Sequence, residues 1–304
     1  MEYARPLATN SHRLRALLDE RDLILVTGKG GTGKSTLVAA LAQLAAKRRG
    51  RALAVEVSAH PHLSEMIAPA AQVKVLNLDA EEAIGPALGR LLNLPGIATA
   101  VLNNRIMRMF IRTSPSVREM IVLDELGHLV AGCAKERCPV IVDMAATGHA
   151  MSLLDTPRAV RDMLRVGPLA QVARRAEALL TDVRRTELVA VALPEELPIN
   201  ETIDLVRRSA AVGVPCRTVF VNQVPAQPVD AADRKMLDII HRDNEGALGR
   251  LASAALNECE AVDLARAQID RLRAAVDVQV IEVPRYAVSD PRQCVTQLVE
   301  ALSQ

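Results

Sequence analysis

The stretch LILVTGKGGTGKST, residues 23–36, indicates the fold more strongly than any other part of the chain. It begins with four apolar residues and continues into a loop that holds four glycines, at positions 28, 30, 31 and 33. Lys34, Ser35 and Thr36 then open a segment whose apolar residues have helical spacing. An apolar run followed by a glycine-rich loop and a helix predicts the strand–loop–helix unit of an α/β protein.

Six more short apolar runs, rich in Val, Ile and Leu, recur along the chain. They lie at residues 52–57, 73–78, 140–144, 188–193, 218–221 and 278–283. Each run is almost wholly apolar instead of alternating, which predicts strands buried on both faces of a sheet. Stretches with helical spacing lie between them, including 34–48, 153–164 and 200–212. The alternation predicts an α/β fold with a doubly wound, mainly parallel sheet.

Residues 28–35 fit the pattern G-x-x-x-x-G-K-[ST] of a phosphate-binding P-loop. Glycines let backbone N–H groups converge on phosphate oxygens, and the start of the helix adds partial positive charge. We expect Lys34 to contact the β- and γ-phosphates of ATP, and the Ser35 hydroxyl to bind Mg²⁺. The residues expected to bind nucleotide here are Gly28, Lys29, Gly30, Gly31, Thr32, Gly33, Lys34, Ser35 and Thr36.

The run VIVDMAATGH, residues 140–149, brings a carboxylate to the end of a predicted strand. Open α/β sheets bind their ligands at the carboxyl ends of the strands. We therefore expect Asp143 to be a second Mg²⁺-binding residue beside Ser35. Thr147 and Gly148 follow closely, and we expect them to act as a switch that responds to the γ-phosphate.

Two segments interrupt the alternation of strands and helices. Residues 81–136 have helical apolar spacing and no convincing strand, which predicts a helical insertion. Residues 230–275 are expected to form a helical hairpin, with Gly246 and Gly249 at its turn. Because no repeat or low-complexity linker separates these segments, we expect residues 1–304 to form a single P-loop domain that carries both.

Composition and charge argue against several classes of protein. Hydrophobic residues make up 50% of the 304, which excludes a disordered chain. Aromatics at 1% and a net charge of +1 give no surface for nucleic acid. The five cysteines are scattered along the chain, which is typical of proteins in a reducing compartment. The first residues lack the apolar segment of a signal peptide, so we expect a cytoplasmic protein. Since Pro139 follows them, we expect Cys133 and Cys138 to be buried as small apolar residues and not aligned on one helix face.

A second lysine in the loop points to a particular group of ATPases. KGGTGKS at residues 29–35 resembles the deviant Walker A motif shared by MinD/ParA proteins and arsenical pump-driving ATPases. The resemblance implies that Lys29 crosses a dimer interface and stabilises charge on the partner's nucleotide. DMAATGH at residues 143–149, followed by LL at 153–154 and Pro157, is similar to the D-T-A-P-T-G-H…L-L…P signature. That signature is typical of arsenical pump-driving ATPases and of ATPases that target tail-anchored membrane proteins.

Further matches extend this resemblance to most of the chain. PEE at residues 194–196, followed by ET at 201–202, is similar to a stretch of the same family. FVNQ at residues 220–223 resembles its V-N-Q segment, which implies that Asn222 reads the adenine edge. We add Pro284, at the end of the last predicted strand, to the residues expected to bind nucleotide.

The chain departs from the family pattern in the first switch. Ser58 stands where the family has an Asp that orients the attacking water, so slow hydrolysis is expected. Glu56 lies two residues earlier on the same side of the strand, where it either reaches the water or the Mg²⁺ shell or has a structural role. The catalytic candidates are therefore Lys29, Lys34, Glu56 and Asp143.

These observations predict a Mg²⁺- and ATP-dependent dimeric ATPase switch of the arsenical-pump and tail-anchor type. It would pair with a second copy or with a related ATPase and act on a protein or membrane-associated client, with no nucleic acid partner. Met107, Met109 and Met120 either line an apolar groove for a client or pack a helix. The alternatives are a MinD/ParA-like positioning ATPase and a weakly hydrolysing regulatory subunit.

Overall fold

A computed structural model describes residues 8–57, 61–92, 109, 114–244, 246–288 and 290–303. Seven strands are present in this part of the chain. They are β1 (Leu23–Gly28), β2 (Ala52–Glu56), β3 (Val73–Asn77), β4 (Val140–Asp143), β5 (Thr186–Ala192), β6 (Cys216–Val224) and β7 (Gln279–Pro284). Each coincides with one of the seven apolar runs, so the predicted strands are confirmed.

Helices connect these strands and flank the sheet. The first six are α1 (Ala8–Glu20), α2 (Lys34–Arg49), α3 (Leu63–Met66), α4 (Ala80–Leu92), α5 (Pro115–Ala134) and α6 (Thr147–Met163). The others are α7 (Pro168–Thr181), α8 (Glu196–Ala211), α9 (Ala231–Asp243), α10 (Ala247–Ala275) and α11 (Pro291–Ser303). Among the helices described, none combines the length and apolar character needed to cross a lipid bilayer.

The strands form one sheet in the order β3-β2-β4-β1-β5-β6-β7, and every neighbouring pair is parallel. The predicted doubly wound α/β sheet is thereby confirmed. β1 lies at its centre, between β4 and β5. The carboxyl ends of β1, β2 and β4 meet at one edge of the sheet, which is where Gly28, Glu56 and Asp143 lie.

Apolar cores cover both faces of the sheet, because successive side chains of a strand point in opposite directions. Leu23 and Leu25 of β1 belong to a core built with α4, α5, α6 and α8, whereas Ile24 and Val26 belong to one built with α1, α2 and α11. Every residue of β1, β2, β4 and β5 is buried, as predicted. The prediction is wrong for the two edge strands: the residues of β3 are half-buried or exposed, and those of β7 are only in part buried, because each strand pairs with one neighbour.

The two predicted helical segments differ in how closely they match the structure. Within residues 81–136, the described parts are helices α4 and α5, and most of the chain between them lies outside the described residues. Residues 230–275 form α9 and α10, which pack against each other. The prediction that Gly249 lies in the turn of the hairpin is wrong, because Gly249 belongs to the first helical turn of α10. A Cβ there would lie 1.8 Å from the Asn244 carbonyl oxygen, so close backbone approach requires glycine.

Candidate functional site

The glycine loop connects β1 to α2, and two of its glycines are required by close contacts. A Cβ on Gly28 would lie 2.1 Å from the backbone carbonyl oxygen of Val191 in β5. Gly33 precedes α2 with a φ of 89°, and a Cβ there would lie 2.3 Å from the Asn222 side-chain nitrogen. The positive φ and these contacts explain why the loop needs glycine where the P-loop pattern specifies it.

The side chain of Lys34 lies within this loop. Its Nζ donates a hydrogen bond to the Lys29 carbonyl oxygen at 3.0 Å, and the Thr32 hydroxyl donates to the same oxygen at 2.9 Å. Burial lowers the pKa of Lys34, and the nearby Asp143 carboxylate opposes that effect. An ammonium group held in a glycine-rich loop at the start of a helix is suited to binding an anion.

Ser35 and Asp143 are in direct contact at the carboxyl edge of the sheet. The Ser35 hydroxyl donates to Asp143 Oδ2 at 2.5 Å, and Asp143 is only 7% exposed. Burial raises the pKa of Asp143, whereas the hydrogen bond from Ser35 and the charge of Lys34 act to lower it. Hydroxyl and carboxylate oxygens are the ligands that Mg²⁺ prefers, so this pair fits the expected ion.

No group of three or more His, Cys, Asp and Glu residues that could hold a metal occurs among the described residues. A Mg²⁺ ion at this edge would be held by Ser35 and Asp143 together with phosphate oxygens and water. Mg²⁺ in nucleotide sites is commonly bound in this way, by one or two protein ligands and the substrate. The Thr27 hydroxyl, donating to the Ala145 carbonyl at 3.0 Å, ties the segment after Asp143 to the end of β1.

Glu56 lies opposite Asp143 in the pairing of β2 with β4 and is 2% exposed. Its carboxylate accepts backbone N–H groups from His62, at 3.2 and 3.0 Å, and from Leu63, at 3.0 Å. Nδ1 of His62 lies 3.0 Å from Oε1 of Glu56. Glu56 therefore caps the start of α3, the structural role left open by the sequence, while lying beside the proposed Mg²⁺ ligand. Ser58 lies outside the described residues.

Lys29 has a partner within its own chain. Its Nζ lies 3.2 Å from Oε1 of Glu201 in α8, and the two side chains are 35% and 36% exposed. The sequence identified Glu201 as part of a family-like stretch but gave no sign of this contact. Because both groups are accessible to water, we expect the ion pair to contribute only ~0–1 kcal/mol.

The remaining predicted residues surround the loop. Asn222 donates from Nδ2 to the Thr32 carbonyl at 2.8 Å, and its Oδ1 accepts the backbone N–H of Gln223 at 2.9 Å. Asn222 thus positions the P-loop, a role that the adenine-reading prediction did not include. Thr36 lies in the first turn of α2, and Pro284 is the exposed last residue of β7.

A cleft of about 420 Å³ borders the site beside Asp143. Val57, Met144 and Ala145, which follow β2 and β4, line one side of it, and residues of α5 and α6 line the other. Thr147 and Gly148, the predicted switch, are the first two residues of α6. Glu119 of α5 accepts a hydrogen bond from Thr156 of α6, which joins the two helices.

The methionines predicted to line a groove are in different environments. Met120 is buried at 2% exposure and packs between α5 and α7, whereas Met109 is 68% exposed. Met107 lies outside the described residues. The packing explanation therefore holds for Met120.

Comparison with known proteins assigns the family. The model of the family described as "Anion-transporting ATPase" matches residues 21–174, a span that contains the P-loop and Asp143. ATPase BagA of Mycobacterium tuberculosis (strain ATCC 25618 / H37Rv) is 33% identical over 233 residues, covering 69% of this chain and 68% of that protein.

Two further relatives are more distant. The arsenical pump-driving ATPase of Escherichia coli is 28% identical over 200 residues, 63% of this chain and 34% of that longer protein. An ATPase ASNA1 homolog of Trypanosoma cruzi (strain CL Brener) is 26% identical over 290 residues, 73% of this chain and 80% of that protein. The family resemblance predicted from the sequence is confirmed, and the chain belongs to the anion-transporting ATPase family.

Proposed function

We propose that this chain is a Mg²⁺-dependent ATPase that works as a dimer and couples ATP binding and hydrolysis to a conformational change acting on a client. The observation that carries the proposal is the contact between Ser35 and Asp143 directly beneath the P-loop. The Ser35 hydroxyl, the Asp143 carboxylate and the Lys34 ammonium group lie where the sheet edge, the loop and the start of α2 converge, which supports the proposal. Family membership supports the same activity.

Phosphate binding would require small rearrangements. The Lys34 ammonium would exchange the Lys29 carbonyl for phosphate oxygens, which are charged acceptors and make stronger hydrogen bonds. The Ser35 hydroxyl would turn from Asp143 so that both oxygens face the cation. A bound Mg²⁺ would neutralise phosphate charge and favour the ionised form of Asp143, whose pKa is raised by burial in its absence.

We propose that the dimer forms through Lys29. In this chain Lys29 pairs with Glu201, and the exposure of both side chains makes that pair easy to exchange. A nucleotide in a facing subunit would offer a denser negative charge than one carboxylate. ATP bound to one copy, or to a related ATPase, would therefore draw Lys29 across the interface.

Helices α5 and α6 would transmit the conformational change to the client. Thr147 and Gly148 begin α6 four and five residues after Asp143, and α6 is joined to α5 through Glu119. A γ-phosphate that moved the start of α6 would change the cleft between these helices. The client is a protein or a membrane-associated molecule in this proposal, and all the elements act as one P-loop domain.

A second candidate function is a weakly hydrolysing regulatory subunit. It is favoured by Glu56, because the backbone N–H groups of His62 and Leu63 and the imidazole of His62 already occupy its carboxylate. A Glu56 held in this way cannot orient water unless α3 is released. Membership of this family favours either candidate over a MinD/ParA-like positioning ATPase.

Single-turnover hydrolysis of ATP separates the two candidates. The wild-type chain, with Mg²⁺ and in excess over ATP, should hydrolyse it slowly, and Lys34→Ala should bind and hydrolyse none. Glu56→Gln should abolish hydrolysis but keep ATP binding if Glu56 orients the water. Tight binding without hydrolysis in the wild type would support the regulatory subunit, and absence of binding would overturn both candidates.

A further inference from the structure

Two thiols lie close together at the end of α5, just before β4 begins. This is the amino edge of the sheet, whereas the P-loop lies at the carboxyl edge. The helix ends in a reverse turn in which the Arg137 N–H donates to the Ala134 carbonyl at 3.2 Å and the Cys138 N–H donates to the Cys133 carbonyl at 3.1 Å. Arg137 adopts a left-handed φ of 53°. This pair of bonds is the Schellman motif, in which the first and last residues are usually in side-chain contact.

Cysteines occupy both of those positions. The backbone hydrogen bond between Cys133 and Cys138 limits the separation of their α-carbons to about 7 Å, near the range that disulfides span. Cys133 is also among the groups that raise the pKa of Cys138, as expected of neighbouring thiols. The helix ends at Ala134, so the two cysteines do not share a helix face, as the sequence predicted, but the turn after the helix brings them together, which the sequence did not show. Their predicted burial holds for Cys138 and in part for Cys133.

The two thiols differ in accessibility. Cys138 is 8% exposed and packs in the core, whereas Cys133 is half-buried beside the exposed residues 134–137. Burial and the neighbouring Cys133 raise the pKa of Cys138 to about 12. The thiol of Cys138 is thus seldom ionised, so Cys133 is the one that meets an external reagent first.

We propose that Cys133 and Cys138 are a thiol-modification site that forms a reversible disulfide within the chain, with a low-molecular-weight disulfide as the oxidant. The Cys133 thiolate attacks one sulfur of the oxidant, forming a mixed disulfide and releasing one thiol. Cys138, as its thiolate, then attacks the Cys133 sulfur and releases the second thiol. Two protein thiols are oxidised, one small disulfide is reduced to two thiols, and the protons pass to the released thiolates.

Oxidised glutathione and peptide mapping test this proposal on the full chain. After reaction and blocking of free thiols, the denatured protein should contain three thiols in place of five. Trypsin cleaves after Lys135 and Arg137, which lie between the two cysteines. The digest should therefore contain the peptide ending at Lys135 joined to the peptide beginning at Cys138, and dithiothreitol should separate them.

Two variants sharpen the result. Cys138→Ser should stop at the mixed disulfide, with glutathione attached to Cys133. Cys216→Ser is the matched control, because burial also raises the pKa of Cys216 to about 12 and no neighbouring thiol contributes to that shift. The cross-link should persist in that variant. Five free thiols after treatment, a link that involves another cysteine, or a link between two chains would each overturn the proposal.

Discussion

Replacing Asp143 with asparagine should make the empty protein more stable while removing its response to Mg²⁺ and ATP. Asp143 is 7% exposed, lies opposite Glu56 in the sheet and has its pKa raised by burial. The folded protein therefore holds a carboxyl group whose ionised form is disfavoured by burial. Asparagine has the same shape, and its side-chain oxygen can still accept the Ser35 hydroxyl. We expect a gain of about 1 kcal/mol, typical of relieving such strain at a functional site.

Thermal unfolding measures both effects. In EDTA, Asp143→Asn should unfold about 2 °C above the wild type. Mg²⁺ and ATP at about a hundred times their Kd should stabilise the wild type by about 2.7 kcal/mol, a rise on the order of 5 °C, and should leave the variant nearly unchanged. Asp204→Asn, at an exposed position in α8, is the matched control and should change neither value.

The pH dependence gives the sign of the effect independently. For a carboxyl whose folded-state pKa is raised, the stability contribution is present below its ordinary pKa of 3.8 and is lost as the pH rises through the folded-state pKa. The advantage of Asp143→Asn should therefore shrink as the pH falls from neutral through the folded-state pKa of Asp143 towards 3.8. A variant that is less stable than the wild type in EDTA, or that keeps the full Mg²⁺-ATP response, would refute the reasoning.

Three further predictions rest on single contacts around the loop. Gly33→Ala should weaken ATP binding at least tenfold by calorimetry, because its Cβ would lie 2.3 Å from Asn222 Nδ2 at a φ of 89°. Gly132→Ala, in α5 with open space at its Cβ, is the control and should bind within a few-fold of the wild type. Adding Asn222→Ala to Gly33→Ala should restore part of the lost ATP affinity. If the double variant showed no recovery, the contact with Asn222 would not be the cause of the loss. Glu201→Gln should free Lys29 and so lower the ATP concentration at which half of the chains are dimeric, measured by analytical ultracentrifugation. The decrease should be up to about fivefold, since the ion pair contributes about 0–1 kcal/mol. An increase in that ATP concentration would contradict the proposed exchange of partners by Lys29.

The fold could be predicted from the sequence because the patterns that indicate it are short and local. Apolar runs of four to six residues are enough to delimit strands, and GKGGTGKS has few other conformations available to it once it connects a strand to a helix. What the runs could not show is the position of each strand in the sheet. Residues 73–78 look as apolar as the central strands, yet β3 is an edge strand with exposed positions.

The contacts at the site were predictable only where the motif itself specifies them. Ser35 and Asp143 are expected to be close because each follows from a pattern at the carboxyl end of a neighbouring strand. The Lys29–Glu201 pair joins residues far apart in sequence, and nothing local distinguishes Glu201 from other surface carboxylates. The contact between Cys133 and Cys138 depends on the left-handed conformation of Arg137. Arginine seldom adopts this conformation, and the neighbouring residues do not predict it.

Calorimetric titration of the chain with ATP tests the central claim most directly. With Mg²⁺ present, the wild type should bind one ATP per chain. Lys34→Ala should show no binding, and Asp143→Asn should bind Mg²⁺-ATP far more weakly than the wild type. Equal ATP affinity in the wild type and in Lys34→Ala would contradict the assignment of the 28–35 loop as the nucleotide site.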